Sequence, residues 1–191
     1  MSKRYLVIFL LSILLGTGCV RKPPPYVFGE IPTIEQLPLM TDAQKIQGME
    51  VLLGKYPLLK RTAEQKTEDS STARQILSGG TPERLANFQA KMKNAEGMAW
   101  IVKRGEENVL VFGDDFHVEA GPSLLVVLSP EVSPSADSLF ASSDTFEVGP
   151  LISLEGGQSY ILPPTVDIAK FRSMVIMNKS FRALFAVAPI E

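Results

Sequence analysis

Residues 97–129 read GMAWIVKRGEENVLVFGDDFHVEAGPSLLVVLS, and this stretch decides the fold class. Its apolar runs at 98–102, 109–112 and 124–128 are short. They are separated by Gly105-Glu106-Glu107-Asn108 and by Gly121-Pro122, which are turn signals. The same rhythm continues at 146–148, 159–162, 174–177 and 181–187, with Ser129-Pro130, Gly156-Gly157 and Pro163-Pro164 between the runs. Short β-type runs at this spacing predict a mainly β fold, a small antiparallel β-sandwich that needs no metal or disulfide to complete its core.

Upstream the pattern changes. Over residues 40–95 the sequence predicts a helical accessory region. Thr41 and Gln44 form a candidate capping box, Ile46, Met49 and Leu53 recur on one helix face, and Tyr56-Pro57 ends the element. The polar stretch KRTAEQKTEDSS, residues 60–71, reads as an exposed helix or a loop. Thr81, Pro82 and Glu83 supply a cap, a proline at the first helical position and an acid in the first turn. They predict a helix whose Leu85, Phe88 and Met92 dock on the sandwich. Residues 19–39 contain Pro23, Pro24 and Pro25, and are expected to form an extended stalk of polyproline II character.

The first residues, MSKRYLVIFLLSILLGTGCV, have a basic start, an apolar run from Tyr5 to Leu15, and small residues before Cys19. This run is too short for an ordinary membrane-spanning helix, and the pattern is that of a signal peptide over residues 1–18. It resembles bacterial lipoprotein precursors. The resemblance implies that Cys19 is the lipidation site, carrying palmitate-type acyl chains and making the bilayer a partner. The usual leucine three places before the cysteine is Gly16 here, with Leu15 one place earlier. Ordinary cleavage at Gly18 and an uncleaved anchor are the alternatives. The expected location is the cell envelope, periplasmic or on the outer face, and Val20 points toward the outer membrane of a two-membrane host.

A formal charge of −2 gives the chain no long-range attraction to nucleic acid, so no nucleic-acid partner is expected. With one cysteine there is no intrachain disulfide framework and no cysteine-based zinc cluster. His117 is the sole histidine, and alternation along Phe116, His117 and Val118 turns it to solvent. Its acidic neighbours Asp114, Asp115 and Glu119 are the residue types for a hard-cation site, but an aspartate pair between strands is also ordinary turn chemistry. No nucleophile-elbow spacing accompanies the histidine. No catalytic, metal or cofactor site is assigned.

Residues 94–190 resemble the DM13 domain, a small β-sandwich module of bacterial envelope and animal extracellular proteins. The residues carrying the likeness are Gly97 in GMAWIV, Leu110 and Phe116 around Asp114-Asp115, and Gly121-Pro122 before LLVVLS. They continue with Gly149, Leu151, Gln158, Tyr160 and Pro163, and end with Ile176, Lys179, Phe181, Phe185 and Ala188. The chain departs from the family at two places. Ser123 stands where aspartate commonly follows Gly-Pro, and Met177-Asn178 stand where many members have Trp-Cys. The family has been proposed to act in electron transfer, partly on the strength of that cysteine, and Asn178 cannot follow a thiol route.

Gln158 and Tyr160, two apart on one strand face, together with Asn178, form a candidate ligand or partner patch. The plainer reading of the first two is a side chain satisfying a loop carbonyl beside a packed ring. Trp100, with Met98 and Val102, reads as core, as do Phe181, Ala183, Phe185 and Val187 on one strand face. The expected function is a non-catalytic, membrane-anchored binding or structural module with an envelope protein as candidate partner. The alternative is a redox accessory protein.

Overall fold

The computed structural model describes residues 22–58 and 62–191. The signal peptide and Cys19 lie outside the described residues. Two threonines start the first two helices in the same way. Thr41 caps α1 (Asp42–Lys55) and Thr62 caps α2 (Ala63–Gly79), each through a reciprocal box with the glutamine three residues on. A 3-10 turn (Leu37–Leu39) precedes α1. The strands are β1 (Thr81–Asn87), β2 (Gln89–Ala90), β3 (Ala95–Glu96), β4 (Met98–Arg104), β5 (Glu107–Phe112), β6 (His117–Val118) and β7 (Leu124–Ser129). Helix α3 (Ala136–Ala141) precedes β8 (Phe146–Pro150), β9 (Gln158–Leu162), β10 (Ser173–Asn178) and β11 (Ala183–Pro189).

These strands form a four-stranded sheet in the order β1-β4-β5-β9, a five-stranded sheet in the order β2-β11-β10-β7-β8, and a small β3-β6 ladder. Every described pairing is antiparallel. Ile101, Leu110, Phe112 and Leu162 of the first sheet meet Val126, Leu128, Met174, Ile176 and Phe185 of the second in one central core. Phe88, Phe112 and Phe116 cluster within it, with ring centroids 4.7–5.2 Å apart.

Both outer faces are covered as well. Helix α2 lays Ala73, Ile76 and Leu77 over Trp100, Val102, Val109 and Val111 of the first sheet. Helix α3 lays Leu139 and Phe140 over Val127, Val175, Met177 and Val187 of the second. Burial on both faces is the reason strands such as LLVVLS and SMVIMN are apolar throughout rather than alternating.

Four expectations are corrected. Residues 81–87 form a strand, not a helix. Pro82 sits on edge strand β1 at a register irregularity, the kind of position in a sheet where proline is tolerated. Phe88 and Met92 do pack on the core, but Phe88 does so from the junction of the first sheet with the second and Met92 from just beyond β2. The stretch expected as a stalk is folded against the domain from Pro24 onward. Gln36 is buried and donates to the carbonyls of Pro24 (2.9 Å) and Pro25 (3.4 Å), while Leu37 and Met40 enter the central core. Pro32 packs so closely on α1 that a Cβ at Gly48 would lie 2.9 Å from its ring. Finally, Val187 does not share a face with Phe185. Ile176 pairs with Ala186 and Met177 with Leu184, so Phe185 is the extra residue of a bulge that reverses the parity beyond it. Val187 therefore faces α3. On α1 the docked side chains are Ile46, Met49 and Leu52 rather than Leu53.

Candidate functional site

The hairpin between β10 and β11 meets the Gly121-Pro122 loop at Asn178. This residue ends β10 opposite Leu124 of β7, and its side chain is buried. Its Nδ2 donates to the Pro122 carbonyl, and its Oδ1 accepts from the Phe181 amide at 2.7 Å. Both ends of the amide are thus used, one to close its own turn and the other to hold the neighbouring loop. Ser123 follows directly and adopts φ +44°, a left-handed conformation that aspartate and asparagine tolerate better than serine. The two departures from the DM13 pattern are therefore neighbours in space, at one end of the sandwich.

Gln158 and Tyr160 occupy a different place, on edge strand β9 of the other sheet. Gln158 Oε1 accepts from the amides of Ile152 and Ser153, both at 3.1 Å, and from the Tyr160 hydroxyl at 2.9 Å. Its Nε2 donates to the Ser153 carbonyl at 2.9 Å. The Tyr160 hydroxyl also accepts from the Ile152 amide at 3.0 Å, and its ring lies 5.8 Å from Phe112. Gln158 therefore acts as a peptide surrogate that shapes residues 151–157, and Tyr160 completes the network. Of the three residues grouped from the sequence, the fold brings these two together and leaves Asn178 on the second sheet.

The acidic residues near His117 are engaged separately. Asp114 pairs with Arg74 of α2 at 3.2 Å, Asp115 accepts from the Met98 amide at 3.3 Å, and Glu119 accepts from Asn94 at 2.6 Å. His117 is exposed, beside a bridge to Glu155. Glu155 bonds to Lys66 of α2, and that bond holds its carboxyl below the usual range, with Lys66's charge and then, more weakly, His117 adding to the effect. Ser70 accepts from the Gly157 amide at 3.1 Å. Together, Lys66, Ser70 and Arg74 fix α2 to the loops around β9. Among the described residues no group of three or more histidine, cysteine or acidic side chains is arranged to hold a metal ion. None of the described helices is long and apolar enough to cross a membrane.

Gly97 shows why the family pattern carries a glycine before β4. Its φ is +106°, and an added Cβ would come within 2.4 Å of the Phe116 backbone. A family model described as "Electron transfer DM13" matches residues 87–190, more than half of the chain. The chain belongs to the DM13 family. Comparison with curated proteins gives no match, and neither does comparison with solved structures. The DM13 match begins at the last residue of β1, so α1, α2 and nearly all of the edge strand lie before the matched residues.

Sequence reasoning missed α3 and the covering role of α2. The signals were present: Ser135 and Ser138 form a capping box, and Ala73, Ile76 and Leu77 recur at helical spacing.

Proposed function

We propose that this protein is a membrane-tethered, extracytoplasmic accessory module, non-catalytic, whose DM13 domain binds or positions a partner protein of the cell envelope. The observation that carries the reading is the state of position 178. Where many members of the family have cysteine, this chain has an asparagine whose amide is consumed in joining two loops. An amide cannot cycle between oxidation states, and a side chain committed at both ends is a structural tie. The central core supports the same reading, being filled by Phe112, Phe116, Phe185 and their aliphatic neighbours. The tether in this proposal is acylated Cys19, supported by the apolar leader and the small residues before it.

Crosslinking in the native envelope tests the binding role. The expected result is one envelope protein joined to the DM13 domain in stoichiometric amount, with the acyl mass present on Cys19. Recovery of the chain with unmodified Cys19 and no crosslinked partner would overturn it.

The family description favours a second reading, an accessory of electron transfer. In this chain such a role would run through docking to a redox carrier or through a bound cofactor, because residues 22–191 contain no thiol. An absorption spectrum and metal analysis of the purified protein separate the two. A stoichiometric chromophore or transition metal supports the second.

A further inference from the structure

Nine large hydrophobic side chains are exposed among the described residues, and five of them lie in one short stretch: Val27, Phe28, Ile31, Ile34 and Leu39. Phe28 is 73% exposed, Ile34 81% and Leu39 67%. These are not the tips of a loose tail. Gln36 closes the segment by donating to the Pro24 and Pro25 carbonyls while accepting from the Thr33 amide at 2.8 Å. A turn joins Glu30 to Val27, and the Tyr26 hydroxyl donates to the Glu30 carbonyl at 3.1 Å. Pro32 rests on α1, and Leu37 and Met40 anchor the end of the segment in the core. The fold therefore uses Tyr26, Pro32, Gln36, Leu37 and Met40 to hold the loop, and leaves five large apolar side chains in water within thirteen residues, a density that singly scattered surface residues do not reach.

The chain outside the described residues supplies the occupant. Phe28 is nine residue steps from Cys19, so even a fully extended link lets Phe28 stray at most about 30 Å from the Cys19 backbone. A surface held that close to a bilayer meets it at a high effective concentration, and a modest apolar area suffices for engagement. We propose that residues 26–39 form a rigid membrane-contact loop that sets Phe28, Ile34 and Leu39 into the lipid interface and fixes the orientation of the DM13 domain on the bilayer. This rests on the proposed anchor at Cys19. Lys22, exposed ahead of the loop, suits lipid phosphates. Glu30 and Glu35 lie within it, and the Glu35 carboxyl is held below its usual range by its own backbone amide and by Thr33. An ionised Glu35 keeps the contact shallow, at headgroup depth, with only the apolar tips immersed.

The test uses the full chain, expressed with its leader, purified from membranes and placed in nanodiscs that hold a single copy. Phe28→Trp and Ile34→Trp introduce probes at exposed positions, and the parent protein gives the contribution of Trp100. The added emission is expected to shift to the blue and to fall about twofold or more when the discs are made with brominated phospholipid. Water-like emission with no quenching in both variants would overturn the membrane-contact loop and leave the patch to a protein partner or a second copy. The mass of Cys19 is read on the same samples. An acylated Cys19 with unquenched probes refutes the loop while the anchor stands, and an unmodified Cys19 refutes the anchor while the probes still decide the loop.

Discussion

At Asn178 a single side chain does the work of two backbone groups. It supplies a donor to the Pro122 carbonyl and an acceptor to the Phe181 amide, both in buried surroundings. Asn178→Cys, which would restore the residue common in the family, removes both partners and leaves each group unpaired at a cost of about 1–3 kcal/mol. Urea unfolding is expected to show a lower midpoint with an unchanged slope. An unchanged midpoint would mean that the two loops are held by something else. The neighbouring Ser123 gives the opposite sign. It is exposed and left-handed, so Ser123→Asn relieves backbone strain without disturbing packing. A gain of about 0.5 kcal/mol is expected in the same measurement.

Among the elements, the connection from β1 to β2 shows where helix and strand patterns overlap. Leu85, Phe88 and Met92 fit a helix period, and Thr81-Pro82-Glu83 fits a helix start, but residues 81–87 pair with β4, and the chain from Gln89 to Met92 makes its bonds to β11. Tertiary pairing overrode local preference. The seven apolar runs downstream had no such rival reading, because they are short and most are bounded by glycine or proline turns, and each became a strand. The register of β10 against β11 was not legible, since a bulge at Phe185 has no signature in an apolar run. Of the candidate patch, the Gln158–Tyr160 contact followed from strand parity. The distance of Asn178 from them did not, because strand order is set by long-range pairing. Phe88→Ala tests the crossing between sheets. Emptying this site among Phe112 and Phe116 is expected to cost about 3–5 kcal/mol in thermal or denaturant unfolding.

The docking of α2 has a pH signature. The lowered Glu155 carboxyl means that its bond to Lys66 favours the folded state above the ordinary carboxylate range and stops doing so as pH falls through the lowered value. Both partners are well exposed to solvent, so the effect is small, about 0.2–1 kcal/mol. Glu155→Gln is expected to lower the melting temperature slightly at neutral pH and to leave it equal to the parent in acid. A difference that persists or grows in acid would contradict this assignment.

For the whole molecule, two sheets enclose one core and a helix closes each outer face. The N-terminal segment packs on this body instead of holding it away, which places the proposed lipid anchor and the domain close together. In the proposed function the domain works as a binding module and carries no electrons itself. The most direct test is voltammetry, with an absorption spectrum and metal analysis, on the full protein extracted from its native membranes. The account predicts a colourless protein, substoichiometric metal and no reversible wave, whereas a stoichiometric chromophore or metal with a reversible potential would contradict it.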